Sequence, residues 1–92
     1  MNRSSWTVSF TKKASKLVPK LPKRERDLLV ALVGDLKLRG PVLPDWPNYS
    51  KLGKGNYHCH LSYKWVACWT VEDNEVRMIE LYYVGSRENA PY

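Results

Sequence analysis

The side chains best suited to handling a phosphate and its protons fall in the last third of the chain, Asn56 to Tyr92. His58 and His60 stand two apart in a stretch patterned as a β-strand. Both imidazoles therefore leave the same face, about 7 Å apart at the backbone. Arg87 and Tyr92 follow in the tail Val84-Gly85-Ser86-Arg87-Glu88-Asn89-Ala90-Pro91-Tyr92, directly after the last apolar run. Imidazoles titrate near neutrality, so one could act as base and the other as acid. A guanidinium stays charged and binds two oxygens at once. A phenol can stack on a base. On a small basic domain these groups could bind RNA and move protons on it.

The elements that must position them are few. Ninety-two residues make one domain, 1–92, with a small core. The 43% hydrophobic and 12% aromatic content is that of a globular chain. No run of 18 apolar residues exists, and Met1-Asn2-Arg3-Ser4-Ser5-Trp6 has no signal-peptide core, so a cytoplasmic protein with no membrane partner is expected. Cys59 and Cys68 are too few for a disulfide scaffold and read as buried thiols. They lie on strands that could be neighbours, which leaves a bridge possible. The net charge is +6, and it is uneven: residues 1–40 hold ten Lys/Arg against three Asp/Glu, the rest five against six. An electropositive N-terminal half suits a polyanionic partner. For most of Lys12, Lys13, Lys16, Lys20, Lys23, Arg24 and Arg26 taken singly, simple solvation is the better reading.

Trp6 to Phe10 alternates large apolar with small polar residues, as a strand does. Thr11 can cap a short helix over Lys12 to Val18, broken by Pro19 and Pro22. A second helix begins with Pro22 in its first turn and carries the stripe Leu28, Leu29, Leu32, Val33 and Leu36. Gly40-Pro41 stops it. After an irregular Pro-rich connection through Asp45 and Trp46 the period changes to two. Tyr49 to Leu52 is a short strand and Gly53-Lys54-Gly55 a turn. The next strand points Tyr57, Cys59 and Leu61 one way and His58, His60 and Ser62 the other. Trp65 to Val71 is a further strand, 72–75 a hairpin turn, and Val76 to Val84 a last strand apolar enough to be central. Trp6, Trp65 and Trp69 read as core; Trp46 fits either core or surface. The order β-α-α-β-β-β-β makes an α+β fold: an N-terminal strand, a helical hairpin, then a mostly antiparallel twisted sheet of 4–5 strands with the helices on one face.

That order, with Gly-Asn-Tyr-His-Cys-His-Leu and Tyr-Val-Gly-Ser-Arg-Glu-Asn-Ala-Pro-Tyr, resembles the RelE/ParE toxin superfamily of type II toxin–antitoxin systems, closest to its RelE-like branch. The resemblance runs from Trp6 to Tyr92. It implies a ribosome-dependent, metal-independent endoribonuclease, an mRNA interferase that inhibits translation and is silenced by a cognate antitoxin. The message's own 2′-hydroxyl attacks the adjacent phosphate. The implied partners are antitoxin, ribosome and mRNA. A sister branch, ParE, has the same fold and inhibits DNA gyrase.

Carried onto this sequence, the resemblance puts His58 and His60 at the basic positions of the central strand. It makes Arg87 the phosphate clamp and Tyr92 the C-terminal aromatic that stacks or assists. Glu88 follows Arg87 in the motif and could orient a neighbour. Lys51, Lys54 and Lys64 could contact RNA backbone. One departure stands out: where many RelE toxins carry an arginine on the strand after the turn, this chain has Val66. Lys64 can replace its charge but not its bidentate geometry. A weak relative that only binds RNA or a partner is therefore a further alternative, beside gyrase inhibition. His58-Cys59-His60 suggests a metal, but Cys59 points away on a strand and no second Cys/His pair has zinc spacing. No metal and no cofactor are expected.

Overall fold

A computed structural model of the protein describes residues 5–71 and 77–92. The elements are β1 (Thr7–Phe10), α1 (Lys12–Leu17), a 3₁₀ turn at Val18–Lys20, α2 (Lys23–Arg39), β2 (Ser50–Gly53), β3 (Asn56–Ser62), β4 (Trp65–Val71), β5 (Met78–Ser86) and a second 3₁₀ turn at Arg87–Asn89. The strands form one sheet in the order β1-β5-β4-β3-β2. The pairs from β2 to β5 are antiparallel; β1 joins β5 in parallel. The expected α+β order is present, and β5 is central because it is paired on both edges.

Local chemistry explains the boundaries. The Thr11 hydroxyl accepts from the Ala14 amide at 3.0 Å, capping α1. Pro19 turns the chain into a 3₁₀ turn one residue before the expected helix end. Pro22 stands at the N-cap of α2, just ahead of its first turn. Gly40 ends α2 at φ 86°, a backbone setting that favours glycine.

The core lies between α2 and one face of the sheet. Leu29, Leu32 and Leu36 pack with Tyr57, Cys59 and Leu61 of β3, Ala67 and Trp69 of β4, and Ile79, Leu81 and Val84 of β5. Trp69 is completely buried and its indole donates to the Pro41 carbonyl at 3.1 Å. Trp6 and Trp65 pack at the margin of the core. Trp46 does too, and its indole donates to Asp35 at 2.8 Å. With helices on one face, the other face of the sheet is left for His58 and His60. Cys59 and Cys68 are both buried and free. They sit on neighbouring strands at alternate parity, so Cys59 joins the core and Cys68 faces the histidines.

Two expectations need correction. Ser62 does not share the histidine face. The β3–β4 register slips between His60 and Ser62, and the Ser62 hydroxyl turns to α2, donating to the nearly buried Glu25 carboxylate at 2.7 Å. The last strand runs on to Ser86, two residues beyond its expected end. The turn expected at 72–75 and the strand start at 76 lie outside the described residues. No helix among the described residues is long and apolar enough to cross a membrane.

Candidate active site

The helix-free face of the sheet carries the cluster. Its floor is Val66 and Cys68 of β4, which pair with His60 and His58 of β3. Gly85 lies across from Val66 and Tyr83 across from Cys68 on β5. The imidazole centroids of His58 and His60 are 5.8 Å apart, edge to face. Ser50 of β2 pairs with His58, and its hydroxyl is hydrogen-bonded to Nδ1 at 3.0 Å.

The tail returns over this floor. Tyr92 lies on the His58 ring with centroids 4.5 Å apart. At the other end of the pair Arg87 stands near His60. The Arg87 amide donates to the Lys64 carbonyl at 2.7 Å, tying the tail to the β3–β4 turn. Its guanidinium lies 5.1 Å from the centre of the Tyr63 ring. Residues from β3, the turn after it and the last six positions of the chain thus form one row: Tyr92, His58, His60, Arg87, Tyr63.

Burial sets the electrostatics. His58 and His60 are 8% and 7% exposed. Burial pushes the His58 imidazole below its ordinary 6.5, and the neighbouring His60 pushes it further, against a smaller opposing effect from Ser50. Burial also lowers His60, helped by the positive Arg87 and opposed by the backbone of Ser62 and Tyr63. Both shifts favour the neutral imidazole, the form that accepts a proton. Burial, the chief cause, raises the Tyr92 phenol above 10, so it keeps its proton. Burial pushes the Cys68 thiol up to about 12, which leaves it un-ionised on the site floor.

The residues singled out from sequence divide clearly. His58, His60, Arg87 and Tyr92 come together. Lys64 and Glu88 line a cavity of about 200 Å³ beside Arg87, with Tyr63, Trp65 and Ser86. Lys51 does not join them: it pairs with Tyr57 on the helix-side face, its Nζ 6.0 Å from that ring. Lys54 sits exposed in the β2–β3 turn, at the opposite end of β3 from Lys64. Val66 is fully buried under His60, and the cation near that histidine is Arg87, from the tail rather than from β4. Sequence reasoning missed Ser50, Tyr63, Cys68 and Tyr83. Period-two spacing in Trp65–Val71 held the signal for Cys68; the others depend on strand register and turn geometry.

Neither a protein-family model nor a curated protein matches this sequence. Solved structures do match. A chain of the archaeal RelE–RelB complex from Pyrococcus horikoshii superposes with a TM-score of 0.77 at 21% identity, covering 94% of this chain and 99% of that one. The chain has the RelE fold. A chain of the E. coli DinJ–YafQ toxin–antitoxin complex matches with a TM-score of 0.75 at 18% identity, over 96% of this chain and 99% of that one. A chain of the YoeB–YefM complex from Staphylococcus aureus matches at 0.69 and 15% identity, over 87% and 94%. The RelE fold thus spans nearly the whole chain, and the row of five side chains lies on its open sheet face.

Proposed function

We propose that this protein is the toxin of a type II toxin–antitoxin pair, a ribosome-dependent and metal-independent mRNA endonuclease, held silent by a cognate antitoxin. The observation that carries the reading is the return of the tail: Tyr92 on His58 and Arg87 beside His60, residues 27 to 34 positions away in sequence. None of these four residues belongs to the hydrophobic core cluster. Metal-free cleavage of RNA needs a base, an acid and a cation for the phosphorane charge.

Arg87 holds two phosphate oxygens. Neutral His60 beside it takes the proton from the 2′-hydroxyl as the 2′-oxygen bonds to phosphorus. The bond from phosphorus to the 5′-oxygen breaks, and that oxygen receives the Tyr92 phenolic proton. Ser50 engages His58 Nδ1, which leaves Nε2 to orient the phenol. After cleavage the protonated His60 releases its proton to solvent and the Tyr92 phenolate takes one up from solvent, which restores both groups. The products are a 2′,3′-cyclic phosphate and a 5′-hydroxyl.

The test is induction in cells followed by primer-extension mapping of a translated message and its untranslated twin. Cuts confined to the translated copy, and lost in His58→Ala/His60→Ala and in Arg87→Ala, are expected. Cleavage that survives the double histidine substitution overturns the assignment. Growth arrest with both messages intact points instead to a gyrase inhibitor or a simple binder.

A further inference from the structure

We infer that the cavity beside Arg87 is a nucleobase subsite, with Tyr63 as its stacking platform and Glu88 as its discriminator. The inference rests on the nuclease reading, since it places a base next to the phosphate that Arg87 would hold.

Tyr63 is 73% exposed at the tip of the β3–β4 hairpin. Nothing in the turn asks for an aromatic residue there. Two-residue hairpin turns favour Asn, Asp and Gly because their backbones tolerate positive φ. Neither Tyr63 nor Lys64 has positive φ; among described non-glycine residues only Asn48 does. Tyr63 also stays outside the core cluster. The energetic logic of a large ring left in water is a partner for its face. One such partner is already in place: the Arg87 guanidinium, 5.1 Å from the ring centre. Arginine over tyrosine leaves a π surface and a planar cation side by side, the pairing that grips an unstacked base and its phosphate.

The lining carries both signs of charge. Arg87 and Lys64 supply positive charge and Glu88 a carboxylate, and of the two cations Arg87 is the one that acts on His60. A carboxylate repels phosphate, so phosphate stays with the cations and the base edge meets Glu88. A carboxylate only accepts hydrogen bonds, so it favours a base that offers amino donors and disfavours one edged mainly by carbonyls. Guanine, adenine and cytosine meet that requirement better than uracil. Trp65 lines the same cavity, which gives the site its own spectroscopic reporter.

The experiment uses the full chain, ¹⁵N-labelled, titrated with 2′-O-methyl trinucleotides that differ only in their central base. These cannot be cut by 2′-hydroxyl attack, so binding is read apart from cleavage. The Trp65 indole signal, assigned with Trp65→Phe, should shift on binding. Tyr63→Leu should weaken binding about tenfold, in the range expected for loss of one stacked base. Tyr63→Phe keeps the ring and should stay within about twofold of the parent. Glu88→Gln should narrow the gap between uracil and the amino-bearing bases. Equal affinity for Tyr63→Leu and the parent overturns the subsite, as does a Trp65 signal that never moves. Message cleavage with an unchanged cut pattern in Tyr63→Leu overturns it too while leaving the nuclease reading standing. Ring-dependent binding without any message cleavage has the reverse meaning: the subsite holds and the nuclease reading falls.

Discussion

Replacing Tyr92 with alanine tests how the tail governs the histidines. Tyr92 is 54% exposed, so a little under half of its surface is covered. A fully buried tyrosine removes 150–250 Å² from water, so this one removes about 90 Å², worth about 2 kcal/mol at 25 cal/mol per Å². Ordering a terminal residue opposes that by about 1 kcal/mol, and a flexible unfolded reference trims the area further. The net loss on Tyr92→Ala is about 1 kcal/mol, or a fall in Tm of about 4–8 °C for a chain of this size. The effect on His58 is more diagnostic. Burial is the main cause of its lowered pKa, and Tyr92 lies on the ring at 4.5 Å between centroids. Removing the phenol wets the imidazole and moves its pKa up toward 6.5.

The sign for stability follows by linkage. The unfolded chain holds its histidine protons more tightly than the folded one, so stability is whole above about pH 6.5 and falls as pH drops through the folded values of His58 and His60. In Tyr92→Ala the His58 part of that acid loss shrinks. The assay is an NMR titration of the His58 and His60 ring protons, paired with urea melts at pH 7.5 and pH 5. A His58 titration curve that does not move in Tyr92→Ala would falsify the idea that the tail desolvates the site.

Two further substitutions probe how the site is held. Ser62→Ala leaves the buried Glu25 carboxylate without its 2.7 Å donor and should cost about 1–3 kcal/mol in urea denaturation, with much of it recovered in Glu25→Leu/Ser62→Ala; additive losses in the pair would show that the two groups do not act together. Gly40→Ala forces alanine into φ 86°, ψ −166° and sets its Cβ 2.9 Å from the Trp6 indole nitrogen, so a loss of about 2–3 kcal/mol is expected with the histidine ring shifts unmoved; a melt within 2 °C of the parent would refute the strain argument.

Much of the architecture was legible because its causes are local. The Thr11 cap, the Leu29–Leu32–Leu36 stripe, the Gly40 stop and the alternation of Tyr57, His58, Cys59 and His60 are all written in neighbouring residues. The central position of β5 was legible for the same reason, since an almost unbroken apolar run needs cover on both sides. Lys51 was misplaced because its face depends on how β2 registers against β3, and that pairing is set by contacts between strands. Ser62 was misplaced because a one-residue slip reverses the face of a side chain, and the slip is stabilised by Glu25, 37 residues away.

Sequence alone determined the residue types of the site and the common face of its two histidines, because period-two geometry follows from backbone stereochemistry. Only the tertiary structure decided what meets them. The tail's return brings Tyr92 to His58 and Arg87 to His60 and Tyr63; Ser50 reaches His58 through strand pairing; Val66 is buried beneath His60, and Arg87 from the tail is the cation beside that ring. Those meetings depend on sheet register and chain reversal, which are settled by the packing of distant segments.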